Sequence, residues 1–398
     1  MGGGQAMSGQ TRGALIVLGM MGQAPFAGVA WQVLQYVEGF RRLGHDAYYV
    51  EDTGGWPYDP DQNMVTDDCR YTVAYIARMM AWCGLPDRWA YRAPGGTLSG
   101  LSEAQLADRL ARADVLVNLT GSTVLGDEHR RVPVRIYLET DPVLPQIEIA
   151  KGQQFTIDLL SAHTHHFTYG ENFGAPDCGV PIGRFVYHPT RPPVVLDWWA
   201  TDTRRQTAPQ APFTTITNWK QTGKDVEWNG ETYTWSKHHE FLKFIDLPHR
   251  TGQPFELALS NADAEAINLL KAKGWGVIEG VALSRDILPY RAYIQASRGE
   301  FTVAKDQNIR LRSGWFSDRS ACYLAAGRPV ITQDTGFGNI LPTGRGLFAF
   351  RNINDVLAAL SAIADDYDGN ARAAGEIADA YFSAERVLSS LLARAGLG

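Results

Sequence analysis

The stretch from Ser313 to Asp334 gathers residue types that suit an anion. It reads as a polar loop, a short helix, a Gly327-Arg328-Pro329 turn and a buried strand from Val330. Ser317 or Asp318 is placed to cap the helix, so its unpaired N–H groups would face whatever anion the loop holds, beside Ser313 and Gly314. Arg319, in the first turn, would add a charge-assisted hydrogen bond of roughly 1.5–3 kcal/mol. Gly327 suits the helix C-terminus, Pro329 forbids continuation, and the strand runs into Gln333-Asp334 and the turn residues Thr335 and Gly336. Lys305 and Lys220 are further cations for the same anion. Lys237, before His238-His239-Glu240, reads equally well as a solvated helix-face residue.

A second group offers proton transfer. Asp141, in Glu139-Thr140-Asp141-Pro142, follows an apolar run and precedes a proline, which places a carboxylate at a strand end where partial burial would raise its pKa. Glu139 is its neighbour in this role, and a turn cap is the competing account of an Asp before Pro. His163, His165 and His166 alternate, which would put His163 and His165 on one face of a strand with Glu171 and Asp177 nearby. A metal reading lacks the usual ligand spacing; His163 is kept as a base or acceptor contact, and no metal or cofactor is expected.

The elements that must position these groups are legible from periodicity. Ala14–Leu18 is a strand, Gly19 to Gly28 a glycine-punctuated loop containing Gly22 and Gln23, and Val29–Leu43 an amphipathic helix; Ala47–Val50 completes a parallel crossover unit. Glu51-Asp52 falls where a dinucleotide fold places its ribose acid, but the loop has no GxGxxG. Further strands are expected at Val115–Asn118, Val134–Leu138 and His166–Tyr169, with helices over 67–83 and 102–113. A Pro-, Arg- and Thr-rich segment from Pro181 to Pro212 interrupts the pattern. A second series follows: strands at 213–219, 255–259, 276–278 and 301–304, a helix at 263–273, and a helical tail from about Asn354. The expected organisation is a disordered segment 1–12, an N-terminal Rossmann-like domain 13–195, a linker 196–212, a nucleotide-binding domain 213–375, and a final helix over 376–398 that crosses back to the first domain. The fold class is α/β, with two Rossmann-like domains facing a cleft, the usual ligand site.

Composition narrows the classes. A net charge of −6 argues against a dedicated nucleic-acid binder. Four scattered cysteines without CxxC suggest neither a disulfide framework nor a zinc site, so a reducing cytoplasm is expected. The apolar run 14–34 is broken by Gln23, Pro25 and Gly28, against a signal peptide or span. Eleven tryptophans are many; most would pack cores and domain contacts, and such rings also stack sugars and bases.

Gly314 to Ser317 and Cys322 to Val330 lie without gaps on the pattern E-G-F-G-x-x-x-x-E-A-x-A-x-G-x-P-V, with Asp334-Thr335-Gly336 at the following D-x-G. The chain thus resembles bacterial GT-B glycosyltransferases. The resemblance implies a nucleoside-diphosphate sugar bound by the second domain, an acceptor entering against the first and its loop Gly22-Gln23 to Gly28, and no catalytic metal. Both glutamates of that pattern are absent: Gly314 and Cys322 hold their slots. The ribose and sugar contacts they imply would pass to Asp318, Asp334 or Glu300. Transfer to a small-molecule or glycan hydroxyl or amine is expected, with inversion favoured because it gives Asp141 or His163 a task. A nucleotide-sugar epimerase or hydrolase, or a non-catalytic nucleotide- or sugar-binding protein, are the alternatives.

Overall fold

A computed structural model describes residues 12–201 and 208–397. The first lobe is built on an eight-stranded sheet. Its strands are β1 (Arg12–Leu18), β2 (His45–Glu51), β5 (Trp89–Arg92), β6 (Leu98–Gly100), β7 (Ala113–Leu119), β8 (Val134–Glu139), β9 (His165–Thr168) and β10 (Tyr187–Pro189); a small antiparallel ribbon, β3 (Tyr58–Asp59) and β4 (Met64–Val65), stands apart. The order is β10-β9-β8-β7-β1-β2-β5-β6, and every pairing is parallel except that of β6 with β5. The central strand β1 is covered on both faces, and its Leu15-Ile16-Val17-Leu18 is accordingly apolar at successive positions.

The second lobe carries β11 (Phe213–Asn218), the antiparallel ribbon β12 (Val226–Trp228) and β13 (Glu231–Tyr233), then β14 (Phe255–Ser260), β15 (Gly276–Glu279), β16 (Gly299–Thr302), β17 (Val330–Gln333) and β18 (Leu347–Phe350). Its sheet, in the order β15-β14-β11-β16-β17-β18, is parallel throughout. Strand order reverses beside β11, so the carboxyl ends of β11 and β14 open onto a crevice.

Two helices tie the lobes. Helix Ala27–Arg42 starts after Pro25 and ends before Gly44, whose φ of +86° terminates it. Its Trp31 lies against Trp199 (ring centroids 4.8 Å apart) and Trp198 (5.8 Å), and the Trp31 indole N–H donates to the Ile287 carbonyl of the second lobe at 3.2 Å. The last helix, Ala384–Arg394, packs on the same helix: Leu388 is fully buried, and a Cβ built on Gly39 would collide with its Cδ1. Arg42 bridges Asp197 and Glu385 at the rim of that contact.

Several expectations need correction. Of the segment 1–12, only Arg12 lies within the described residues, where it opens β1. The expected linker 196–212 includes a helical turn, Leu196–Trp199, with Trp199 fully buried; its residues 202–207 lie outside the described residues. The stretch before it contributes an edge strand, β10. His163 and His165 do not share a strand face, because His163 sits in the turn after helix Gln154–Ser161 and β9 begins at His165. Among the described residues no helix is long and apolar enough to cross a membrane.

Candidate active site

Between the lobes lies a cavity of about 650 Å³. The second lobe lines it with the ends of β11 (Ile216 to Asn218) and β14, with Val281, Ser284 and Tyr290, and with the first turns of helix Asp318–Ala325. The first lobe contributes Phe26, Gly28, Trp31, Gln32 and Gln35, together with Tyr58 and Asn63 of the outlying ribbon. This volume suits a ligand of nucleotide size.

Ser317 is the N-cap of helix Asp318–Ala325 but its hydroxyl caps nothing. The anionic group at this helix start is Asp318 itself. Gln32 Nε2 donates to its Oδ2 at 3.3 Å, and Tyr169 OH donates to Oδ1 at 3.2 Å; Tyr169 is in turn 2.9 Å from the hydroxyl of Tyr36. Both donors come from the first lobe, so the carboxylate joins the two lobes across the cleft. Burial is the main reason its pKa is pushed up to about 6. Arg319 also lines the cavity, although its guanidinium is well tethered: Nε donates to Glu300 (2.6 Å), Nη1 to the Ile216 carbonyl (2.6 Å) and Nη2 to Thr302 (2.9 Å). Glu300 is fully buried, so Arg319 is its charge partner as well as part of the cavity wall.

The remainder of the loop closes the cleft rather than lining the cavity. Asn172 N donates to the Ser313 carbonyl at 3.1 Å, and the Trp315 indole N–H donates to the Thr140 carbonyl at 3.0 Å. Gly314 has φ +83°, and a Cβ there would collide with Asn172 N. The slot of the first absent glutamate therefore has no room for a side chain. Cys322, at the second slot, does face the cavity, where Gln35 Nε2 lies 3.9 Å from its sulfur. Of the three acids expected to replace the glutamates, only Asp318 reaches the cavity. Glu300 is committed to Arg319, and Asp334 pairs with Arg312 and Arg351 away from it. The Asp334-Thr335-Gly336 turn braces the loop from behind: Thr335 Oγ1 donates to the Trp315 carbonyl (2.7 Å), and Asp334 accepts from Gly336 N (2.8 Å).

The remaining candidates separate. Asp141 and Lys305 meet across the cleft as an ion pair, and the Lys305 ammonium lies over the Trp235 ring, 3.1 Å from its centre. Glu139 is buried and accepts from Gln146 (2.8 and 2.9 Å) and Thr168 (2.7 Å); burial raises its pKa to about 7. It holds the strand-end turn in shape and does not face the cavity. His163 is buried between the Asn118 side chain (3.1 Å) and the Leu159 carbonyl (2.9 Å), with its pKa lowered by burial to about 4, so it has no route to an acceptor. Lys220 is exposed and does not line the cavity. In the acceptor-side loop, Gly28 lines the cavity, whereas the N–H groups of Gly22 and Gln23 are taken by Glu51 at 2.7 and 2.6 Å. That carboxylate thus occupies loop N–H groups that a bound anion would otherwise need.

Lys237 is the residue that sequence reasoning undervalues. It is buried, its ammonium lies 5.1 Å from the centre of the Trp315 ring, and no salt-bridge partner reaches it among the described residues. Burial and the nearby cations Arg319 and Lys305 lower its pKa to about 7. A proline- or glycine-free run into His238-His239-Glu240 gives no sign of this, because the burying wall is Trp315 from a segment nearly eighty residues on. Gln32 and Gln35 also escape the motif-based reading, although a buried polar position such as Gln35 in an otherwise apolar helix is a signal visible in sequence.

The two sheets, the cleft between them and the C-terminal helix returning to the first lobe define the GT-B fold. Solved glycosyltransferase structures share it over nearly their whole length. The Anabaena protein Alr3699/HepE in complex with UDP and glucose has 12% sequence identity and a TM-score of 0.56, covering 96% of this chain and 100% of that one. An alpha-glucosyltransferase in complex with UDP and a 13-mer DNA gives 10%, 0.59, 96% and 99%. AviGT4, a glycosyltransferase involved in avilamycin A biosynthesis, gives 10%, 0.54, 96% and 97%. No protein-family model matches the chain, and no curated protein matches it.

Proposed function

We propose that the protein is a glycosyltransferase that moves a sugar from a nucleoside-diphosphate sugar to an acceptor hydroxyl or amine, without a catalytic metal. The observation that carries this reading is the interlobe cavity at the carboxyl ends of β11 and β14, closed by the start of helix Asp318–Ala325. The nucleoside would lie against β11, β14, Val281 and Ser284. Its diphosphate would approach the helix start, where backbone N–H groups and Arg319 favour the negative charge released on displacement, and the anion would hold the Lys237 amine, buried beyond the cavity lining, in its charged form. The acceptor, a small molecule or glycan, would enter past Phe26, Gly28, Tyr58 and Asn63. The shared fold with proteins solved with UDP and UDP-glucose supports the donor class. The four free cysteines agree with work in a reducing cytoplasm.

A thermal-shift series with UDP, GDP and dTDP tests the proposal directly, since a ligand at 100 times its Kd adds roughly 2.7 kcal/mol of stability. Saturable stabilisation by one of them is expected. No shift with any of the three would remove the donor site and the activity with it.

A further inference from the structure

We infer that the protein holds a second ligand site, apart from the interlobe cavity, in which Arg191, Arg386 and Arg394 bind a phosphate group, free or carried as an ester on a small molecule. The site is a cavity of about 380 Å³ beside the last helix, where that helix crosses back to the first lobe. One wall is the end of β10 and the residues after it, up to Arg191; another is the face of helix Ala384–Arg394 that carries Arg386, Ser390 and Arg394. Ile340 of the second lobe closes it, together with Ala380 and Tyr381. None of these residues lines the cavity assigned above to the nucleotide-sugar.

Charge is the first argument. The chain is acidic overall, with a net charge of −6, yet this lining sets three arginines against one carboxylate, Glu171. That carboxylate is spent on Arg191, whose Nη2 donates to it at 2.5 Å, and the Arg191 guanidinium lies 5.4 Å from the centre of the Tyr381 ring. Arg191 is therefore held in place from two sides. Burial raises the pKa of Glu171, while Arg191 and then Arg394 draw it down, so the charge of Arg394 is directed to the same spot. Among the described residues no ion pair reaches Arg386 or Arg394. Three guanidinium groups less one carboxylate leave two positive charges for a ligand. A phosphate monoester carries about −1.5 to −2 near neutral pH and matches that excess, whereas a single carboxylate matches half of it. The planar guanidinium fork also suits phosphate oxygens in pairs.

Shape is the second argument. Arg386, Ser390 and Arg394 recur at every fourth residue and share one helix face, and Leu388, Leu391 and Leu392 take the buried face. Immediately before this helix the chain makes a π-helical turn, Ala378–Phe382, and two of its residues, Ala380 and Tyr381, line the cavity. Such turns forgo regular helical hydrogen bonding and concentrate at functional sites. This one is pinned to the wall that carries Arg191: Val194 N donates to the Phe382 carbonyl at 2.7 Å, and Ala384 N donates to the Val194 carbonyl at 2.9 Å. Tyr381, Val387 and Ile340 give the cavity an apolar side, against which the organic part of an ester would lie.

The test is calorimetric titration of the full chain at low ionic strength with inorganic phosphate, glucose 6-phosphate, acetate and glucose. Saturable one-to-one binding of a phosphate is expected, with none of acetate or glucose at the same concentration. Equal affinity for the two phosphates would identify free phosphate as the ligand, and tighter binding of glucose 6-phosphate would identify an ester. Arg386 and Arg394 are exposed, so Arg386→Gln with Arg394→Gln should keep the fold and weaken phosphate binding at least about tenfold, through loss of charge-assisted hydrogen bonds. Lys237→Met, which alters the other site, should bind phosphate as the wild type does. No saturation by either phosphate, equal binding of acetate, or unchanged affinity in the arginine variant would overturn the site. So would binding that is lost in Lys237→Met and kept in the arginine variant, because the phosphate would then lie between the lobes. Phosphate binding with this dependence on Arg386 and Arg394, but no stabilisation by any nucleoside diphosphate, would sink the glycosyl-transfer reading and leave this site standing.

Discussion

Replacing Lys237 by methionine should make the empty protein more stable and the nucleotide-bound protein impossible to reach. The lysine's pKa lies at about 7 rather than 10.5, chiefly because burial removes its ammonium from water and secondarily because Arg319 and Lys305 repel it. A tenfold change in proton affinity corresponds to about 1.4 kcal/mol, so keeping this amine charged below pH 7 costs the folded state roughly 5 kcal/mol relative to the unfolded chain. The sign follows from proton counts. Between about pH 7 and pH 10 the unfolded chain keeps the lysine proton that the folded protein has lost, so wild-type stability rises with pH through that window. Lys237→Met removes the group, keeps a long apolar stem on the Trp315 ring, and should not show that rise. Its apparent melting temperature should exceed that of the wild type at pH 7, and the difference should shrink toward pH 10. With a nucleoside diphosphate the order should reverse: the anion restores the lysine's charge, so wild-type binding at pH 8 takes up a proton, measurable by calorimetry in buffers of different ionisation enthalpy. The variant should show neither uptake nor stabilisation by UDP, GDP or dTDP. Parallel pH–stability curves for the two proteins, or nucleotide binding by Lys237→Met at wild-type affinity, would refute the argument that this amine is held in place for an anion.

Gly314→Ala should destabilise the protein by roughly 1–3 kcal/mol, read as a lower urea midpoint, because the φ of +83° is strained for any side chain and its Cβ would meet Asn172; Gly314→Glu should do worse and restore no activity. Glu139→Gln should change the pH dependence of stability: the carboxyl's raised pKa of about 7 gives the wild type an advantage present below about pH 4.5 and lost as pH rises to about 7, a slope the amide lacks. Leu388→Ala, at the contact of the last helix with Gly39, should cost about 2–5 kcal/mol in denaturant unfolding, since a fully buried leucine on a close-packed helix leaves a cavity that cannot collapse.

Local pattern carries most of the fold. Runs such as Ala14–Leu18 and Val330–Thr332, bounded by glycine, proline and polar residues, are buried parallel strands in the structure, with ends displaced by a residue or two. Capping signals are equally readable: Ser102 with Gln105 forms a reciprocal cap, and Asp263 caps helix Ala264–Ala272. Short elements whose stability is tertiary escape this reading, among them β18 and the ribbon of β12 and β13, which packs through Val226 and Tyr233 on Val143 and Ile147 of the other lobe. The same boundary divides the site. Gly28, Ser317, Asp318 and Arg319 are found because a helix start announces itself in sequence. Lys220, Lys305 and Asp141 follow strands and His163 lies in a helix-to-strand turn, and which of these places meet across the cleft is set by how the two sheets dock.

That docking also bears on the two vacant glutamate slots. The loop carrying Gly314 is drawn onto Asn172 by a main-chain hydrogen bond from Asn172 N to the Ser313 carbonyl, and Trp315 reaches across to Thr140, so the segment forms a direct seam between the lobes. A glutamate at position 314 would hold that seam open. Asp318, the first residue of the helix that follows, is oriented across the same seam by donors from Gln32 and Tyr169. These donors can be removed experimentally: Tyr169→Phe with Gln32→Ala should free Asp318 without touching Gly314, lowering the turnover number while leaving nucleotide stabilisation intact. Equal loss of both would mean that these residues only hold the lobes together.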